Sequence, residues 1–410
     1  MLNDIFVRPL FSKAAAGSVV KFVLTALFAI ALSACGKETE GQGTGEEEKP
    51  IVPSVVHEKI ILLNEGNWQS DNGQLSFIEN HVIANGWFKS VNGTKLGDTP
   101  QHIVRINDNL LAVSVNWSNI IHFIKPTGEL VASTENVPNC RYMATDGMDF
   151  LYVTSYAHQT ALGNTYEKGY VAKINVNSHT VTATCEVGYE PEGIAFYEGL
   201  LYVANTGGYG YSESHDYENT ISVLDARSMT KIKDVEIVRP QDGSRVVNLY
   251  GNLSQSGQYL CINSAGDYIS SPAATIIFNC KDCSYKVYDF PGTYNTATVD
   301  GKFFAIGSDF SYETYEYQYF RNTIDPVSGE IYPGYLLPWS TSFGSDVEES
   351  LSRMDNPYCV YQNPYTGHLY VTDAGSFVSA GKVYEFDTSG HQVGDPLKCY
   401  VNPGHMIAIP

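Results

Sequence analysis

Basic residues are scarce: 25 Lys and Arg stand against 45 Asp and Glu in 410 residues, for a formal charge of −20. A field of that sign disfavours nucleic acid and anionic lipid surfaces, and no basic cluster offsets it, so no nucleic-acid partner is expected. Long apolar runs are lacking too; Phe22–Leu32 is the length of a signal h-region and too short to span a bilayer as a mature helix. Catalytic signatures are missing. There is no G-x-S-x-G, no H-E-x-x-H and no phosphate-cradling Gly loop; "GYGYS" from Gly208 has no helix after it, and "GSDVEES" from Gly344 is only an acidic loop. Cysteine spacing carries little: "CKDC", Cys280–Cys283, has no second pair nearby for zinc, which leaves a hairpin disulfide or two free thiols. No helix of consequence is legible. The expectation is a non-enzymatic protein without cofactor or bound metal.

The start of the chain reads as a targeting segment. Arg8, Lys13 and Lys21 precede the apolar run, and "LSAC", Leu32–Cys35, resembles a bacterial lipobox, so residues 1–35 are expected to be a signal peptide with Cys35 as the acylated residue. Residues 36–54 are Gly-rich and acidic with almost nothing to bury, as a flexible tether requires. Acidic residues close behind the Cys resemble the surface-export signal of Bacteroidetes lipoproteins. That resemblance implies a lipid-anchored protein on the outer membrane facing outward, touching the membrane through its lipid alone.

Residues 55–410 are built on a repeat. "LLAVSVN" (Leu110), "FLYVTSY" (Phe150), "LLYVANT" (Leu200), "QYLCINS" (Gln258), "KFFAIGS" (Lys302) and "HLYVTDA" (His368) are one strand pattern, apolar and ending in a small polar residue, at propeller-blade spacing. Each follows a tight turn and an earlier strand that usually opens on Pro, as in "TPQHIVRI" from Thr99, "EPEGIAFY" from Glu190 and "NPYCVYQN" from Asn356. Third and fourth strands follow, giving four antiparallel strands per unit, A to D from inside outward. "NPGHMIA" from Asn402 is an A strand with no B strand after it, whereas "KIILLNEG" from Lys59 is a B strand with no A strand before it. The expected fold is therefore all-β: a seven-bladed β-propeller whose C-terminal strand pairs into the N-terminal blade and closes the ring.

In such a blade the D-to-A and B-to-C connections share one face. The B-to-C loops are long and aromatic: Trp68, Trp117, Tyr156, Tyr209, Tyr211, Tyr217, Tyr268, Tyr312, Tyr315 and Phe377 are candidate ligand contacts on a rim. The A-strand starts supply a polar channel mouth from Gln101, Asn139, Arg141, Glu190, Glu192, Arg245, Asn295, Asn356 and His405. Glu192, Asn139 and Asn356 with Arg141 beside them make a poor metal cage. Aromatics around convergent amides and charges suit a large, partly polar small molecule.

The segments "LLNEGNWQSDNGQLSFIE" (Leu62–Glu79), "VNGTKLGDTPQHI" (Val91–Ile103), "LLYVANTGG" (Leu200–Gly208), "GHLYVTDAG" (Gly367–Gly375) and the terminal "NPGHMIAI" resemble the YncE-like, YVTN-type propellers found as surface lipoproteins in Bacteroidetes. The resemblance implies kinship with BtuG-type proteins, hence capture of a cobamide such as cobalamin and delivery to a TonB-dependent outer-membrane transporter, by a monomer. Another large nutrient (a glycan or siderophore), a scaffold role and, last, a metal-dependent hydrolase are the alternatives.

Overall fold

The computed structural model describes residues 59–157, 167–208, 216–267, 270–289, 296–299, 301–311, 316–333, 346–351 and 353–410. They belong to one compact unit, Val55–Pro410. Their strands form seven four-stranded antiparallel sheets. The innermost, or A, strands of sheets 1 to 7 are Pro403–Ala408, Pro100–Asn107, Cys140–Thr145, Pro191–Tyr197, Leu249–Ser256, Ala297–Val299 and Pro357–Gln362. The B strands in the same order are Lys59–Asn64, Leu110–Val115, Phe150–Ser155, Leu200–Asn205, Tyr259–Ser264, Lys302–Ser311 and Leu369–Asp373. Successive A strands lie side by side, and the A strand of sheet 1 lies between those of sheets 7 and 2. The fold is a β-propeller.

Position in the sheet explains each strand's composition. A B strand has sheet neighbours on both faces, so it is apolar throughout rather than alternating, and Ile60–Leu63 are fully buried. A D strand is the solvent edge, and Thr230–Glu236 accordingly reads as Thr, Lys, Asp and Glu around Ile and Val, almost wholly exposed. An A strand has a free edge toward the channel, where a missing N–H costs nothing, so Pro can open it. The core is thus divided into layers between sheets; Ile60, Leu62 and Ile78 of sheet 1 pack on Cys359, Tyr370 and Val383 of sheet 7. Each such fully buried aliphatic side chain contributes roughly 1.5–3 kcal/mol.

The two ends of the chain meet in sheet 1. Ile60 pairs with Ala408, Ile61 with Ile407, Leu62 with Met406 and Leu63 with His405. Two devices recur at the joints between sheets, this one included. Gly73, Gly169 and Gly381, each leading into a C strand, let the Pro of the next A strand approach so closely that a Cβ would lie 2.1, 2.2 and 3.0 Å from the rings of Pro100, Pro191 and Pro403. Ser114, Thr154 and Thr372 of the B strands donate to backbone carbonyls of the next A strand, at Arg141 (2.6 Å), Glu192 (2.8 Å) and Pro403 (2.8 Å). Joint 7–1 is therefore built like joint 3–4.

Two features differ from the sequence reading. Two six-residue helices occur, Trp87–Asn92 and Asp346–Leu351; the first is held by Trp87 stacked on Phe77 and by buried Phe88 against His122. Part of "SDFSYETYEYQYF" from Ser308, expected as a loop, is strand: Lys302–Ser311 pairs with Glu316–Ile324 out to Ser311 opposite Glu316. Tyr317 and Tyr319, two residues apart in that strand, carry its period-two signal. Cys280 and Cys283 are free thiols, as are the other five described cysteines, and burial pushes the Cys280 thiol up to about 12.

Candidate ligand-binding site

The residue just before an A strand adopts a left-handed backbone in five sheets: Asn402 (φ 53°), Thr99 (55°), Asn139 (47°), Glu190 (44°) and Asn248 (61°). Asn tolerates this region, but Thr and Glu do so at a cost. Each conformation is fixed by a repeated bond, because the first N–H after the B strand donates to that residue's carbonyl: Glu65 to Asn402 (2.8 Å), Asn116 to Thr99 (2.9 Å), Tyr156 to Asn139 (3.4 Å), Thr206 to Glu190 (3.3 Å) and Ala265 to Asn248 (3.0 Å). Directly afterward the A strand carries a β-bulge, between Pro100 and His102, Cys140 and Met143, Pro191 and Ile194, Pro357 and Val360. A bulge re-aims the extra residue. Here it turns the second residue of each of these A strands toward its neighbours around the channel.

Those second residues form a polar belt. Arg141 pairs with Glu192 (Nη2 to Oε1 2.7 Å, Nε to Oε1 2.9 Å) and donates through Nη1 to Gln101 Oε1 at 2.8 Å. Tyr156 donates its hydroxyl to Glu192 Oε1 and lies under the Arg141 guanidinium, 5.1 Å from ring centroid to Cζ. Gln101 Nε2 reaches the Tyr142 hydroxyl at 3.4 Å. In sheet 1 the equivalent position is Gly404, and the side chain that fills it comes from elsewhere: Glu65, whose Oε1 would sit 2.2 Å from a Cβ on residue 404. Tyr358, the equivalent residue of sheet 7, donates to Glu65 Oε2 at 2.8 Å.

Burial governs the electrostatics. It pushes the Glu65 carboxyl up to about 7, with the Glu192 charge acting the same way, while the Tyr358 hydrogen bond and the Arg141 charge oppose. Glu65 thus changes charge near neutral pH. Behind the belt, burial holds His102 down to about 3 and keeps His405 well below the usual imidazole range, helped by His102, so both rings are neutral there. They stand edge to face, 4.8 Å apart, and His102 Nδ1 accepts from the Met143 N–H at 3.2 Å. A cavity of about 230 Å³, lined by His102, Met143, Thr145, Phe196 and Asn252, lies farther along the A strands.

The predicted residues fall into two groups. Gln101, Arg141, Tyr156, Glu192 and His405 are buried and bonded to one another or packed in the channel, forming a plug. Trp68, Trp117, Phe377, Tyr217, Asn139 and Asn356 lie at the end of the sheets where the A strands begin. Trp68 is 60 % exposed and held edge-on to Trp117 with centroids 5.1 Å apart; Phe377 stands edge-on to Tyr358. Asn67 donates to the Phe377 carbonyl at 2.9 Å, tying the loops of sheets 1 and 7. Asn139 accepts from Asn116 Nδ2, and Asn356 Nδ2 donates to the Gly375 carbonyl at 2.6 Å.

Arg245 was expected at an A-strand start but is exposed in the connection before it, bridged to Val238 and donating to the Tyr217 carbonyl at 2.9 Å; Asn248 holds the strand-start position. Tyr209, Tyr211, Tyr268, Tyr312, Tyr315, Asn295 and Cys35, with all of residues 1–58, over which a signal peptide and a tether are expected, lie outside the described residues. Sequence reasoning passed over Glu65, Tyr142, Tyr358 and His102. A signal for Glu65 existed: "TPQH", "EPEG", "NPYC" and "NPGH" align, and a Gly where the others carry a large side chain marks a slot for a foreign one. Among the described residues no group of three His, Cys, Asp or Glu side chains is disposed to hold a metal ion.

No family model and no curated protein matches the chain. Solved structures are similar to it in fold. A Bacteroides uniformis protein provisionally described as a 6-phosphogluconolactonase superposes with a TM-score of 0.56 at 12% identity, covering 86% of this chain and 99% of that one. A protein of unknown function from Desulfotomaculum acetoxidans gives 0.52 at 13% identity (86% and 98% covered). A quinonprotein alcohol dehydrogenase-like protein from Bacteroides thetaiotaomicron gives 0.51 at 13% (85% and 78%). At these identities the likeness concerns the β-propeller fold alone.

Proposed function

We propose that this is a non-catalytic binding protein that holds a large, partly polar small molecule on the rim where the B-to-C loops emerge, with the polar belt as a structural floor. One observation carries the reading: Trp68 is left 60 % exposed yet is held in a fixed pose against Trp117, beside a floor in which Arg141, Gln101, Tyr156 and Glu192 Oε1 bond one another. An exposed indole fixed in this way is a contact surface waiting for a flat or apolar partner.

Joined to the resemblance to YncE-like surface lipoproteins, the ligand we propose is a cobamide. A corrinoid is broad, amphipathic and rimmed with amides, which suits stacking on Trp68, Trp117 and Phe377 and hydrogen bonding with Asn139, Asn356 and Arg245. In this reading Cys35 anchors the protein to the outer membrane and the ligand passes to a TonB-dependent transporter. The test is thermal unfolding with added ligand. Cyanocobalamin should raise the melting temperature, oligosaccharides should not, and Trp68→Ala should markedly reduce the shift. A rise with oligosaccharides alone would replace the cobamide by a glycan, and no rise with either would leave a scaffold.

A further inference from the structure

Asn80 and His81 form the two-residue turn between the strands Gln74–Glu79 and Val82–Ala84 of sheet 1, with φ of 49° and 60°. Positive φ at both central residues is what a type I′ hairpin turn demands, and its second place normally falls to Gly. A histidine there bears local strain, so the destination of its ring matters. The ring leaves its own sheet. Nδ1 lies 2.8 Å from Glu385 Oε2 and Nε2 lies 3.1 Å from the Asp395 carbonyl oxygen, both in sheet 7 or the loop beside it. Gly394 makes the room, since a Cβ there would be 2.5 Å from His81 Nε2. Glu385 is 1 % exposed, and its other oxygen lies 2.9 Å from Nδ1 of His368, in the A-to-B turn of the same sheet.

Counting protons at this cluster gives an imbalance. A carbonyl oxygen can only accept, and so can an ionised carboxylate, whereas a neutral imidazole carries one N–H. His81 therefore faces two acceptors and satisfies both only as imidazolium. His368 faces the same carboxylate from its other side, through Nδ1. We propose that the seam between sheets 7 and 1 is closed by a proton-operated clasp: protonated His81 bridges Glu385 and the Asp395 carbonyl, and loss of its proton breaks one of the two bonds and loosens the seam. The nearby charged or titratable groups are Glu385 and His368, Asp395 and Lys398 on the outer edge of sheet 7, and Glu79 beside His81 in its own sheet.

The seam matters because sheet 1 holds both ends of the described fold, and because its other end carries the Tyr358–Glu65 and Asn67–Phe377 bonds of the rim. Glu65 works in the same direction, since burial favours its neutral form below about 7 and penalises the charged form above. Both ends of the seam are tightest in mild acid. The inference stands apart from the ligand reading, and its test contains no ligand.

Thermal unfolding of the full chain at pH 6 and pH 8 should show wild type melting several degrees higher at pH 6. His81→Gln should lose much of that difference, and the His81→Gln/Glu65→Gln pair nearly all of it. An undiminished difference in His81→Gln, or a wild type that melts as high at pH 8, would overturn the proposal. Imidazole ¹⁵N shifts of wild type test it without any variant: both His81 nitrogens protonated at pH 6 and one at pH 8 is the expected result, and the same state at both contradicts it.

Discussion

The belt and the rim occupy the same end of the propeller and differ in what surrounds their polar atoms. In the belt, Arg141, Glu192, Gln101 and Tyr156 spend their hydrogen bonds on one another, and Glu192 is fully buried. At the rim, Trp68 and Val378 stay exposed at 60% and 72% while the loops that carry Asn67 and Phe377 are tied together beneath them. Convergent polar residues at a channel mouth are therefore not by themselves a ligand site. A buried network whose bonds run mostly between its own members, with Glu192 Oε2 left without a partner, is a structural element, whereas recognition falls to side chains that folding has fixed but not covered.

Removing one partner of the belt should have the largest effect. Glu192→Leu strands a buried guanidinium and should cost about 3–5 kcal/mol in denaturant unfolding, while adding Arg141→Met should recover much of it. If the double variant is no better than the single one, the belt is not the coupled unit described. Next comes Gly404→Ala, which drives a Cβ into the Glu65 carboxylate and should cost about 1–3 kcal/mol by the same measurement. A smaller effect distinguishes the floor by its titration. A carboxyl held up near 7 contributes stability that is fully present below its unfolded value and lost as pH rises through about 7, so Glu65→Gln should flatten the fall in melting temperature between pH 6 and 8. The least effect on stability belongs to the rim: Trp68→Ala should stay within about 0.5 kcal/mol of wild type. Its affinity for cyanocobalamin should nevertheless fall by about tenfold or more, in line with loss of an aromatic anchor.

The strands were legible because burial on two faces forces a near-continuous apolar B strand and the channel edge admits Pro, and both marks survive in "LLYVANT" and "NPYC". The pairing of residues 403–408 with 59–64 was legible for the same reason, from an A strand and a B strand each lacking a mate. The belt was legible only as residue types. Whether Arg141 faces a ligand or Glu192 depends on a bulge, and a bulge is set by register with the neighbouring strand rather than by local composition. Glu65 escaped because its slot, Gly404, belongs to the far end of the chain. Arg245 was misplaced because the connection before Leu249 folds back on itself through the Val238–Arg245 bridge, which delays the strand.

Hydrogen–deuterium exchange with and without cyanocobalamin tests the central claim most directly. The account predicts slowed exchange in the B-to-C connections around residues 65–73, 116–119 and 374–381, with no change in the turns around 107–110 and 145–150 at the opposite end. Protection confined to those opposite turns, or running through the A strands of the channel instead of the rim, would contradict it.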